Sequence, residues 1–286
     1  MGDKSEVLGN AQLGRWAKNE ANTYAPTGQL QVALLTTTDA AYDVQPIGDE
    51  VDIVTDDTAY VRQNVNFYDI VNTNFTENSN TITFPPVVLG TNAVDFDIVG
   101  IAIVDSTDTW LYKSSLISAV TLTTGSELTF EIRDIHVSEL NKPLNMAMSY
   151  LRWSLRGDTS GIQPVAQTYV ALMVSDESGV ISEIDDINYS STYDRQAVTW
   201  NDIGTGDSTY NTNLVQFQPA ALVGLSATAG YFVITHVAIY DALTGGNKMW
   251  ERHVLDGSLD DDTITVIEDT LVKFVENDDK LWIGEK

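Results

Sequence analysis

The sequence predicts a mainly β protein: two tandem jelly-roll-like β-sandwich domains, 1–138 and 139–286, each opening with an α-helix. Three observations carry this. Four sequence blocks recur in the same order in the two halves. Only two stretches sustain helical periodicity. The rest consists of short runs rich in Val, Ile, Thr, Tyr and Phe, separated by turn-forming clusters.

The repeat is direct. Tyr60-Val61-Arg62-Gln63-Asn64-Val65-Asn66-Phe67 returns 133 residues later as Tyr193-Asp194-Arg195-Gln196-Ala197-Val198-Thr199-Trp200. The same offset aligns Phe84-Pro85-Pro86 with Phe217-Gln218-Pro219. Leu30 to Leu35 matches Thr168 to Met173 at an offset of 138, and Ile98 to Asp105 matches Ile234 to Asp241 at 136. Ordered blocks with slowly drifting offsets indicate a duplicated module, split near Ser138. A period of about 140 residues is domain-sized rather than solenoid-sized, so each half is expected to own a core.

The elements follow in order. In the first helix, about 5–24, Leu13, Trp16, Ala17, Ala21 and Tyr24 form a one-sided apolar stripe, and Pro26 and Gly28 stop it. The second, about 142–156, repeats the stripe with Leu144, Ala147, Met148, Leu151 and Leu155. Asn141 and Pro143 suit its start; Gly157, Gly161 and Pro164 end it. Strands fill the remainder. Turn clusters such as Asn78-Ser79-Asn80, Gly204-Thr205-Gly206-Asp207 and Thr244-Gly245-Gly246-Asn247 separate them. Alternation is clearest at Asn64 to Phe67 and at Thr263 to Ile267, where Ile264 and Val266 share a face. Six to eight strands per half, roughly a dozen residues apart, fit a sandwich or jelly roll.

Composition excludes several functions. Lys and Arg number 15 against 41 Asp and Glu, a net charge of −26. A nucleic-acid partner needs a positive face, and an anionic membrane surface would repel this chain. With no cysteine, disulfides, thiol nucleophiles, Fe–S clusters and Cys-ligated zinc are impossible. No apolar run approaches the ~20 residues of a membrane span, and Met1 to Glu6 lead into polar sequence rather than an apolar signal core. Self-repulsion on this scale is relieved in molar salt, where the screening length falls to about 3 Å, so a halophilic source is one expectation.

The blocks resemble a widespread tailed-phage domain. Its features here are the helix, then Tyr169 to Met173, then Tyr193 to Trp200, then an apolar strand ending in Phe217 to Ala220. The last block is Ile234 to Asn247, with its Thr235-His236 pair and Gly245-Gly246 turn. The second half is the closer match. In the first half Gly100 stands in place of His236, and Ser106-Thr107-Asp108 replaces the Gly-Gly turn. Proteins of this kind are known as tail-fibre proteins, and relatives are jelly-roll cement or decoration proteins on capsids. The resemblance therefore implies a virion structural protein, on the head, neck, baseplate or fibre.

No catalytic constellation stands out, and no enzyme activity or cofactor is expected. His136, His236 and His253 show no metal-ligand spacing. His236 lies mid-strand, where the structural reading is a ring that holds a loop. Gly224 to Gly230 is too long for a nucleophile elbow, and Gly204-Thr205-Gly206 is only a fragment of a dinucleotide fingerprint. Asp56-Asp57, Asp185-Asp186, Asp260-Asp261-Asp262 and Asp278-Asp279 read as solvated loops; they are the candidate Ca²⁺ ligands, without EF-hand spacing. Arg62 and Arg195 occupy one position of the repeat, and a guanidinium fork there suits pinning an adjacent loop or anchoring an interface. Trp16 and Trp153 belong to the helices, for core packing or for docking on a neighbour. Trp200, aligned with Phe67, reads as core; Trp110, Trp250 and Trp282 stay open.

The sequence thus predicts adhesion rather than catalysis. The first expectation is a capsid decoration or cement protein that binds the major capsid protein. A tail-fibre, neck or baseplate protein comes next, followed by a carbohydrate-binding adhesin. A homo-oligomer in a symmetric virion assembly is expected.

Overall fold

The computed structural model describes residues 3–20, 25–26, 28–37, 50–91, 94–140, 142–176, 178–184, 193–201, 208–222, 229–255, 261–275 and 281–284. The first half contains β1 (Asp3–Lys4), α1 (Glu6–Ala17), β2 (Gln31–Leu35), β3 (Gln63–Asn64), β4 (Phe75–Glu77), β5 (Ile82–Thr83), β6 (Phe96–Val104), β7 (Trp110–Leu122), β8 (Thr129–Phe130) and β9 (His136–Ser138). The second contains α2 (Leu144–Arg156), β10 (Thr168–Ser175), β11 (Ile181–Glu183), β12 (Gln196–Val198), β13 (Ser208–Tyr210), β14 (Val215–Gln216), β15 (Phe232–Ile234) and β16 (His236–Tyr240). It continues with β17 (Lys248–Leu255), β18 (Asp261–Asp262), β19 (Ile264–Val266), β20 (Lys273–Phe274) and β21 (Trp282–Gly284). The fold is mainly β.

Among the described residues every ladder is antiparallel and joins strands on the same side of Ser138. The first half has a sheet in the order β1-β7-β6-β2-β3, with two short ladders, β4–β9 and β5–β8. The second has β11-β10-β16-β17-β18, with β12 also on β10, and the ladders β13–β21, β14–β20 and β15–β19. Equivalent partnerships recur: β2–β3 with β10–β12, β4–β9 with β13–β21, and β5–β8 with β14–β20.

The central strands read as continuous apolar runs because both of their faces are covered. On β2 and β6, Val32, Leu34 and Ile103 point into the main core, while Ala33, Leu35, Ala102 and Val104 join Trp110 on the other face. In the second half Val170, Leu172 and Ile239 face inward, and Ala171, Met173 and Ala238 line the opposite face. Small residues meet across the ladder in both halves, Ala33 opposite Ala102 and Ala171 opposite Ala238.

The helices differ from expectation in one respect. Helix α1 starts where Ser5 accepts a hydrogen bond from the Leu8 N–H at 3.1 Å. It ends at Ala17 instead of about residue 24, because Asn19 turns the chain through a left-handed conformation, φ 53°. Ala21 and Tyr24 lie outside the described residues. Helix α2 starts at Leu144, within the expected range, with Pro143 as an N-cap that makes no side-chain bond; Asn141 is outside the described residues. Gly157 ends it at φ 62°, with its N–H on Trp153 O and the Asp158 N–H on Arg152 O.

The expectation of a separate core for each half requires correction. Apart from two small satellite clusters, the buried apolar residues form one cluster that runs from Leu8 to Leu281. The helices are the reason. Helix α1 packs against β13 of the second half, while α2 packs against β4 of the first as well as β17 of its own. Each helix thus packs on strands of the other half.

Candidate functional site

Two equivalent arginine clamps dominate the polar architecture. Arg62 donates from Nε and Nη2 to the two carboxylate oxygens of Glu50, both at 2.8 Å. Its Nη1 reaches Asp108 at 2.5 Å, at the tip of the β6–β7 hairpin. The Tyr60 hydroxyl donates to Glu50 at 2.7 Å and accepts the Leu34 N–H at 3.0 Å. In the second half Arg195 forks onto Glu183 at 2.8 and 2.6 Å, and Tyr193 accepts the Leu172 N–H at 3.0 Å. Here Arg195 Nη1 ties down the β16–β17 hairpin through the carbonyls of Ala242 (2.7 Å) and Gly245 (2.6 Å), and its guanidinium lies 3.4 Å from the Tyr240 ring centroid. Gly246, at φ 71°, leaves no room for a Cβ beside Asp241, which accepts from both nitrogens of Asn247.

Electrostatics follow from this geometry. Burial, reinforced by the Glu50 charge and hydrogen bond, pushes the Tyr60 hydroxyl far above its ordinary value. Burial does the same to Tyr193 and, less strongly, to Tyr240. The Glu50 hydrogen bond outweighs burial and holds Arg62 more firmly protonated. Burial works against the Arg195 charge, but the Glu183 hydrogen bond and charge more than offset it. Glu50 and Glu183 stand at the same offset of 133 as the arginines, in the short matching runs Glu50-Val51-Asp52 and Glu183-Ile184-Asp185, a signal outside the four longer blocks that points to them. Buried Asn78 and Asn211 share that offset. Each accepts an N–H at 2.8 Å, from Ile135 and Leu281 respectively, and braces its own turn at Asn80 or Asn213.

Trp16 and Trp153 are brought together between the halves, 2% and 3% exposed. Trp16 sits 4.7 Å from the Tyr150 ring and edge-on to Trp153 at 5.2 Å; its Nε1 donates to Ile162 O at 2.8 Å. Tyr150 in turn meets Trp250 at 6.5 Å. Behind the rings lies a buried polar knot. Glu139 accepts from Tyr112 at 3.2 Å, with Lys4 at 3.5 Å and Lys142 at 3.8 Å. Tyr112 also contacts Ser154 at 3.0 Å. Arg152 grips Ile70 O through Nε at 3.0 Å, and Arg156 donates to Phe67 O at 2.6 Å, so α2 is stitched to the first half by its own cations.

His236 is buried and stands opposite His253 across the β16–β17 ladder, ring centroids 3.8 Å apart, with Nδ1 2.9 Å from Thr235 Oγ1. Among the described residues no group of three or more His, Asp and Glu side chains is arranged to hold a metal ion. Asp57, expected in a solvated loop, is instead buried, and its carboxylate accepts the Ala59 and Val88 N–H groups at 2.9 Å; nearby Asp52 accepts the Val54 and Thr55 N–H groups, which lower its pKa. Asp185-Asp186, Asp260 and Asp278-Asp279 lie outside the described residues, as do the Gly204 to Gly206 and Gly224 to Thr228 stretches; Asp261 and Asp262 form β18. Trp110, Trp200 and Trp250 are all buried. Among the described residues, a cavity of about 470 Å³ between the end of α2 and the segments 28–30 and 65–67 is lined by one charged group, Arg156.

Residues 146–266 match the family model described as Podophage GP4 fiber I protein gp80. No curated protein matches the chain. The matched stretch starts within α2 and ends at the last residue of β19, taking in the Arg195 clamp and the His236 strand. The second half of this chain is thus similar to a phage tail-fibre-type family.

Proposed function

We propose that the chain is a structural protein of a tailed-phage virion and works in the tail-fibre assembly, through adhesion rather than catalysis. The match of residues 146–266 to a family described as a podophage fibre protein is the observation that supports this reading. The architecture suits it. Charged pairs and buried amides are spent on pinning hairpins and on joining the halves, as in a rigid spacer. In this reading the two halves are jelly-roll-like modules derived from one duplicated ancestor, and the shared partnerships of β2–β3 and β10–β12 are its trace. Neighbouring tail or neck proteins would be the partners, with symmetry multiplying each modest contact.

Purified particles test the proposal. Gold-labelled antibody against the chain should decorate the tail, and mass spectrometry should count about six to a few dozen copies per particle, as tail symmetry requires. Label over the head at hundreds of copies, or absence from the particle, would overturn it.

A further inference from the structure

The polar knot around Glu139 places an amine against an amide. Lys4, on β1, donates from Nζ to Gln12 Oε1 on α1 at 2.7 Å. A carbonyl bond is about 1.2 Å long, so Gln12 Cδ lies within about 4 Å of this amine, close to the near-attack range of about 3–3.5 Å. Glu139 Oε1 stands 3.5 Å from the same nitrogen and accepts the Tyr112 hydroxyl at 3.2 Å. The Tyr150 ring centroid is 5.5 Å from Nζ. Water is largely kept out: the Lys4 and Glu139 side chains are 10% and 8% exposed, and Gln12 is fully buried.

A hydrogen bond alone accounts poorly for this arrangement. Gln12 Nε2 is buried and finds no hydrogen-bond partner among the described residues, a costly state for an amide donor. The second half shows the same helix position satisfied. With Arg15-Trp16 aligned to Arg152-Trp153, Gln12 corresponds to Ser149, whose hydroxyl donates to Asn145 O and accepts the Ile162 N–H, both at 2.8 Å. Burial also disfavours the Lys4 ammonium, and passing its proton to Glu139 replaces two buried charges by two neutral groups.

We propose that Lys4 and Gln12 become joined by an amide bond that the chain forms by itself, with Glu139 carrying the proton. Lys4 Nζ gives one proton to Glu139 and attacks Gln12 Cδ. The Nζ–Cδ bond forms, the Cδ–Nε2 bond breaks, and Nε2 leaves as ammonia with its own two hydrogens and one more from Nζ. The proton held by Glu139 then goes to the ammonia, so ammonium departs and the carboxylate is restored. The balance needs no oxidant or co-reactant. The product ties β1, at the edge of the first-half sheet, covalently to α1 and removes the orphaned nitrogen. The inference stands apart from the virion reading, since the mass of purified chain tests it whether or not particles contain the protein.

Intact mass spectrometry of the full chain, folded and aged for days, reads the reaction. One ammonia, about 17 Da, is expected to be missing from the mass of the sequence. Trypsin should leave Lys4 uncut, giving a peptide that runs through it to Arg15, and fragmentation should yield no backbone breaks separating residue 4 from residue 12. Lys4→Arg should keep the full mass. Glu139→Gln, checked by far-UV dichroism for parent-like folding, should keep it too. The full mass in the folded parent, or an ammonia loss that maps to any other residue, would overturn the proposal; an undiminished loss in Glu139→Gln would overturn the role of Glu139.

Discussion

Arg62 and Arg195 look alike in sequence and differ in what they secure. Arg195 is 7% exposed in its side chain and satisfies two backbone carbonyls besides Glu183, whereas Arg62 spends its third contact on Asp108, itself 67% exposed. Removing one member of a buried pair strands the other, so Arg195→Ala should cost about 3 kcal/mol in urea unfolding, and Arg62→Ala about 1–2 kcal/mol. Lysine at either position keeps the charge but loses the fork, and should recover only part of the loss. The tyrosines set the alkaline limb. Tyr60 and Tyr193 keep their protons in the native state well above their ordinary value, while the unfolded chain gives them up near about pH 10. The native state then binds more protons, and stability falls as pH rises beyond about 10. Tyr60→Phe and Tyr193→Phe should flatten that decline in pH-dependent melts. Asp52 acts on the other side: its lowered pKa gives stability present above about pH 4 and lost as pH falls through its native value, and Asp52→Ala should flatten that acid limb. The repeat exposes the arginines because they sit inside a run of aromatic and amide residues that returns at a fixed offset. Glu50 and Glu183 escape notice because each is one carboxylate among 41 acidic residues, in the short runs Glu50-Val51-Asp52 and Glu183-Ile184-Asp185 that stand apart from the four longer blocks.

At the scale of elements, α2 is legible because its entry from Pro143, its exit at Gly157 and most of its stripe agree, although Leu144, expected on that stripe, is exposed at the first turn. A methyl group on Gly157 would meet open space, but the backbone there has a positive φ. Gly157→Ala should therefore cost about 1 kcal/mol from backbone strain alone, read as a lowered melting temperature. Helix α1 is legible only at its start. Its apolar spacing runs on through Ala21 and Tyr24, and spacing cannot register that Asn19 turns the chain out of the helix. The partner of each helix is also hidden, since an apolar stripe states that a face is covered but not by which half. Trp16 shows the consequence. It closes on Tyr150, Trp153 and Ile162 of the second half, so Trp16→Ala should cost about 3–5 kcal/mol. Trp16→Phe, which keeps an aromatic ring and loses the bond to Ile162 O, should cost about 1 kcal/mol. The strands are readable in kind but not in number: six to eight per half are expected, whereas nine and twelve are found among the described residues, because many are two- or three-residue ladders too short for an alternating pattern.

For the whole molecule, the repeat in the sequence and the continuity of the interior pull in opposite directions. Ladders among the described residues stay within each half, as a duplicated module would have them, yet α1 packs on β13 of the second half, α2 bridges β4 and β17, and Glu139 draws Lys4 and Lys142 into one buried knot. With both helices packed across the junction over one continuous core, the two halves should behave as a single cooperative unit. Thermal unfolding of the full chain, followed in parallel by far-UV dichroism, tryptophan fluorescence and calorimetry, tests this most directly. One transition is expected, coincident in all probes, with equal calorimetric and van't Hoff enthalpies. Two separated transitions, with the tryptophan signal following only one of them, would contradict it.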